Sequence, residues 1–192
     1  MSSFEKRDYA DIYRKKTWAY SDKPDPELIK ALEGLPRGKA IDLAGGQGRH
    51  ALALSALGFD VVLVDSVAEG LHQASAAAAD RGLSLHTVHA DAASYESDPD
   101  LALIVAGLFF HIPPRKTSLA IAKRMGEALR RRGLFYFSMP GYSKEQEEFA
   151  PELLEAAGCN TEWIVKHLVT RKERPRLHVP RRNEIRALGK RR

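Results

Sequence analysis

The chain has 192 residues, enough for one packed α/β domain and short for two. Its 44% apolar and 29% charged residues are those of an ordinary globular protein, and the longest apolar run, 101–110, falls well below the roughly 20 residues of a membrane helix. The net charge of +5 is uneven: residues 166–192 hold 11 Lys/Arg against 2 Asp/Glu, whereas the first 165 residues are net acidic, with 19 against 23.

The charged first 16 residues offer no apolar core for a signal peptide, so residence in the cytoplasm is the expectation. Residues 1–38 carry Tyr9, Tyr13, Trp18 and Tyr20, then a Pro-punctuated stretch and a short helix over 27–33 closed by Gly34. From Lys39 the pattern alternates. Strands are expected at 40–44, 61–65, 85–90, 101–106 and 134–139, and helices at 48–57, 68–81 and 114–132. A further helix covers 144–157, and two more strand candidates lie at 162–170 and 183–188. About a dozen residues separate that last pair, too few for an easy helical crossover, so the pair is expected to be antiparallel. The fold class is therefore α/β: a Rossmann-like, mostly parallel seven-stranded sheet with helices on both faces and an antiparallel last strand. The single cysteine, Cys159, permits no internal disulfide and suggests no metal site.

The chemistry centres on Ala40-Ile41-Asp42-Leu43-Ala44-Gly45-Gly46-Gln47-Gly48-Arg49-His50, where a strand runs into a glycine turn and a helix begins. Glycines let a backbone approach a ligand closely, and a helix N-terminus favours negative charge. Asp65 ends the next strand, where a carboxylate can accept ribose hydroxyls. Gly46-Gln47-Gly48-Arg49-His50-Ala51 also satisfies the dinucleotide pattern. Asp42 separates the readings, because a carboxylate beside the turn repels a pyrophosphate and attracts an ammonium or sulfonium. The competing reading is that Asp42 caps a turn.

These residues resemble class I S-adenosylmethionine-dependent methyltransferases, and most closely the small tellurite-resistance-type and thiopurine-type enzymes. Segment 40–51 is similar to their first motif, with Ala44 in place of its first glycine and Gly45 where a cysteine is common. Trp18-Ala19-Tyr20-Ser21 with Pro24 and Pro26, and Phe109-Phe110-His111-Ile112 before Pro113-Pro114, carry the subfamily likeness. The resemblance implies S-adenosyl-L-methionine as cofactor. It assigns Asp42 to the methionine amino group, directly or through water, and Gly46 and Gly48 to close backbone approach. Asp65 with Ser66 falls on the ribose, Asp91 with Ala92 on the adenine, and Ala44 and Ala106 on the remaining cofactor wall. It divides the chain into an N-terminal helical or lid segment, 1–38, and a methyltransferase domain, 39–192. The expected acceptor is a small, anionic or soft nucleophile: a chalcogen oxyanion, a thiol or a carboxylate metabolite.

His111, after the fourth strand, is the candidate general base, with a structural histidine beside Pro113 as the other reading. Trp18 and Tyr20 are substrate-side candidates, as a closing lid or as simple packing. Arg176, His178 and Arg182 belong to a basic stretch, 171–182, open to three readings: a solvated edge, an anionic small substrate, or nucleic acid. No aromatic platform is interleaved there, so nucleic acid is a partner not favoured. No membrane partner is expected, and the chain is taken as a monomer or homodimer. The alternatives are an RNA or protein methyltransferase using the basic tail, and a protein that binds the cofactor without turnover.

Overall fold

The structure, a computed structural model, describes residues 8–15, 18–110, 112–140, 144–169 and 182–192, with backbone only at 167–169, 182 and 183. Among these residues the strands are β1 (Lys39–Leu43), β2 (Asp60–Asp65), β3 (His86–His89), β4 (Leu101–Gly107), β5 (Leu129–Pro140), β6 (Cys159–Val169) and β7 (Arg182–Arg191). They form one sheet in the order β3-β2-β1-β4-β5-β7-β6. The first five strands are parallel, and β7 runs antiparallel to both β5 and β6. The expected architecture is present. Order reverses at β1, which pairs with β2 on one side and β4 on the other, opening a crevice at the strands' carboxyl ends.

The helices are α1 (Tyr9–Lys15), α2 (Pro26–Ala31), α3 (Arg49–Ala56), α4 (Ala68–Asp80), α5 (Arg115–Ala128) and α6 (Lys144–Ala156). Alternation along the strands sorts the core into two layers. Ile41, Leu43, Ile104, Phe135 and Phe137 face α5 and α6, packing on Ile121, Met125, Phe149 and Leu153. Ala40, Leu63, Val105 and Tyr136 face the other side, against Leu28, Ala51, Leu54 and Ala74 of α2, α3 and α4. No described helix is long and apolar enough to cross a membrane.

One boundary differs from the sequence pattern. The helix expected to run to 132 stops at Ala128, and Leu129 pairs with Leu101 as the start of β5. Arg130, Arg131 and Arg132 are good helix formers, but sheet pairing overrides their propensity. Arg132 turns the chain at φ +65°, beside a register shift between Leu101 and Leu103.

Candidate functional site

The glycine turn stands at the crevice. Asp42 lies on the α3 side of β1 and is fully buried. Its Oδ2 accepts the amide of Ala51, 3.0 Å away, an otherwise orphaned donor in the first turn of α3. The capping role left open by the sequence is therefore present. Oδ1 is buried with no hydrogen-bond partner. Burial, only partly offset by the Ala51 amide and Arg49, pushes the carboxyl up to about 7. Asp42 sits beneath the turn rather than in the cavity wall: a Cβ placed on Gly45 would stand 2.5 Å from its Cγ and 2.5 Å from Leu63 Cδ1. Residue 45 must therefore be glycine for a carboxylate to lie under the turn.

Gly46 and Gly48 serve different neighbours. Gly46, at φ +57°, carries Tyr13 above it, whose hydroxyl would collide with an added Cβ. Gly48, at φ +76°, packs towards Ala74 of α4 and Leu63, so its hydrogen lets α3 begin against α4. It does not line the cavity.

Asp65, at the end of β2, is 6% exposed and does line the cavity, as does Ser66. Its Oδ2 accepts the Gly46 amide at 2.7 Å and its Oδ1 the Val67 amide at 2.8 Å. Burial raises its carboxyl above the usual range against these amides and His89. The Ser66 amide also donates to this carboxylate, which still has acceptor capacity towards the cavity. Asp91 is exposed, with Oδ1 on the Ala93 amide, and Ala92 is buried; Arg124 holds the carbonyls of Ala92 and Ala93. Ala106 is wholly buried within β4, facing the α5 side, and is not among the lining residues.

The cavity between these elements has about 920 Å³ of free space, its open mouth included, and is walled by Ala44, Asp65, Gly107, Leu108, Phe109 and the N-terminal aromatics. Trp18 and Tyr20 both line it. Gln47 fixes them: its Oε1 accepts the Ala19 amide at 2.6 Å, and its amide nitrogen donates to Gln73, which donates in turn to the Tyr13 carbonyl at 2.7 Å. This relay ties Tyr13 and Ala19 across the glycine turn to α4. Two non-glycine residues in the left-handed region flank the cavity, Ala44 (φ +53°) at the end of β1 and Leu108 (φ +61°) at the end of β4. Leu108 is held by its amide, which donates to the Ser138 carbonyl at 2.9 Å. Such conformations cost about 1–3 kcal/mol each and cluster at functional sites. His111, Arg176 and His178 lie outside the described residues. Of Arg182 only the backbone is described, at the start of β7 opposite Val169.

Beside the cavity is a buried polar cluster that the sequence reading missed. Asp25, 2% exposed, takes Arg49 on both oxygens (2.7 and 3.2 Å), the Tyr136 hydroxyl at 2.8 Å and His50 Nε2 at 3.3 Å. Arg186, 1% exposed, approaches Asp25 at 3.5 Å and also pairs with Glu27 and Glu184. Burial alone would raise the Asp25 carboxyl, but Arg49, His50 and Arg186 together hold it well below the usual range. A sequence signal for this existed. Arg49 and His50 open a helix, where a cation opposes the macrodipole, so the pair calls for a carboxylate from elsewhere in the chain.

Residues 40–133 match the methyltransferase domain family. No curated protein matches in sequence. Among solved structures, TehB from Haemophilus influenzae superposes with a TM-score of 0.70 at 17% identity, over 88% of this chain and 63% of that one. This chain thus spans less than two thirds of that protein. A methyltransferase from Methanosarcina mazei gives 0.70 at 16% identity, over 88% and 98%. A TehB-like methyltransferase from Corynebacterium glutamicum gives 0.64 at 22% identity, over 86% of each chain. At these identities the likeness is one of fold. Residues 40–133, just under half of the chain, thus match a methyltransferase domain, and the chain shares its fold with solved S-adenosylmethionine-dependent methyltransferases.

Proposed function

We propose that the protein transfers the methyl group of S-adenosylmethionine to a small, soft nucleophile, of which a thiol is the leading example. When bound, the cofactor supplies an electrophilic methyl carbon on a sulfonium. The protein's contribution is orientation and exclusion of water, where proximity alone is worth roughly 7–11 kcal/mol. Asp65 and Ser66 would hold the ribose, and Asp91 with Ala92 the adenine side. Asp42, lying below the turn, would act on the amino group through the turn or a water rather than by direct contact.

The observation carrying the acceptor class is the cavity lining. Tyr9, Tyr13, Trp18, Tyr20, Phe109 and Ile112 make it largely aromatic and apolar, and the Arg49 guanidinium in its wall is already engaged by Asp25. That favours an uncharged, polarisable acceptor over an oxyanion. Residues 9–20 act as the lid in this reading, and Tyr13 moves off Gly46 when the cofactor enters. A methyl-transfer assay over thiols, selenite, tellurite and carboxylates, read by release of S-adenosylhomocysteine, tests it. Thiols are expected to turn over. Turnover of oxyanions alone overturns the acceptor class, and no turnover with any of them would favour a binding protein.

Asp65→Asn is expected to weaken S-adenosylhomocysteine roughly 10- to 100-fold, the worth of hydrogen bonds to a charged group. Calorimetry checks this, and unchanged affinity removes Asp65 from the ribose site.

A further inference from the structure

We propose that a groove at the amino-terminal end of the sheet, opposite the crevice, binds a free nucleotide, with Arg131, Arg132 and Lys190 on its phosphates and Trp163 against its base. This second site is independent of the methyl-transfer reading above.

Arg130, Arg131 and Arg132 lie in the first turn of β5, and Lys190 stands opposite Leu134 near the end of β7. With the chain that leaves α2, they wall a groove of about 1360 Å³ of free space, its open mouth included. Leu134 and Leu188, both buried, also line it. Arg130 donates to the Pro36 carbonyl at 3.1 Å, which fixes its guanidinium against the opposite wall. Arg131 and Arg132 are exposed and Lys190 is half-buried, and among the described residues none of the three has an ion-pair partner. Arg132 holds φ +65°, where a glycine would be unstrained, so the turn carries a guanidinium in place of the residue its backbone favours.

Trp163 of β6 lines the same groove. It is half-buried, and its ring meets Tyr136 at 65° with centroids 6.2 Å apart. Tyr136 is wholly buried and its hydroxyl donates to Asp25 at 2.8 Å, so the indole rests on a fixed support. The guanidinium fork matches phosphate oxygens, and an aromatic ring stacks on any base. Glu33 and Glu162 also line the groove, so four cations stand against two carboxylates and the balance favours an anion. Among the described lining residues Trp163 is the single aromatic, which suits one base rather than a run of them.

The chain has two tryptophans, Trp18 at the crevice and Trp163 in the groove, so Trp18→Phe leaves Trp163 as the one indole reporter. GTP is expected to quench its fluorescence saturably. Inorganic tripolyphosphate should compete, and guanosine, which lacks the phosphates, should bind at least about tenfold more weakly. Adding Arg131→Ala with Arg132→Gly should weaken GTP roughly 10- to 100-fold, the worth of hydrogen bonds to a charged group. Both side chains are exposed and the glycine keeps the turn's backbone, so this variant is expected to fold. Lys190→Gln reads the same groove from β7, with a loss of about tenfold expected. Absence of saturable quenching, guanosine binding as tightly as GTP, or unchanged GTP affinity in the arginine and lysine variants overturns the proposal. Tighter binding of single-stranded oligouridylate than of GTP, growing with its length, overturns it in favour of an RNA surface.

Discussion

Asp42→Asn is expected to stabilise the protein at neutral pH, by up to about 4 kcal/mol, when measured without cofactor. The aspartate has no exposed surface, its Oδ1 has no hydrogen-bond partner, and burial pushes its carboxyl up to about 7. A carboxyl raised on folding binds its proton more tightly in the folded state. Its stabilising contribution is complete below the unfolded value near 4 and is lost as pH rises towards 7. Urea denaturation across pH 4–8 should show a steeper decline in the unaltered protein than in the variant, which retains only the smaller contribution of Asp65. The asparagine keeps an oxygen for the Ala51 amide, so α3 remains capped. The variant should also bind S-adenosylmethionine more weakly, having lost the negative charge under the turn. A variant no more stable than the parent contradicts the description of Asp42 as a buried charge with one uncompensated oxygen.

The opposite sign is expected of Asp25→Ala, which should cost about 3–5 kcal/mol, the usual penalty for removing one member of a buried ion pair. The change strands Arg49, takes the acceptor from the Tyr136 hydroxyl and frees the ring of His50. The Asp25 carboxyl is held low, so its contribution is present above the unfolded value near 4 and is lost as pH falls below it. Denaturant midpoints at pH 7 and pH 3 check this: the gap between parent and variant should be widest at the first and smaller, by about 1 kcal/mol, at the second. An unchanged midpoint at pH 7 removes the cluster from the stability of the fold.

Most of the fold could be read from the chain because its rules are local or periodic. Val61–Val64, the alanine-rich 74–79 and the glycines at 58 and 82 announce β2, α4 and the stops of α3 and α4 within a few residues. Reversal of β7 followed from a connection too short for a helical crossover. The end of α5 was not legible, because three arginines continue a helical pattern and only pairing with Leu101, far along the chain, ends it.

The site divides the same way. Asp65, Ser66, Trp18, Tyr20 and Ala44 stand at the cavity, where motif spacing put them. Asp42, Gly48 and Ala106 belong to motif segments but are turned towards the fold, since strand alternation and helix packing decide which side a residue presents. The cluster of Asp25, His50, Tyr136 and Arg186 joins residues up to 161 positions apart and carries no local pattern at all.

The crevice between β1, β2 and β4 is expected to receive an adenosyl methyl donor rather than a dinucleotide. Calorimetric titration of the protein with S-adenosylhomocysteine and, separately, with NAD tests it most directly. Saturable binding of S-adenosylhomocysteine, with no heat from NAD, is the predicted result. Preference for NAD, or no binding of any adenosyl compound, would rule out a methyl-donor site there.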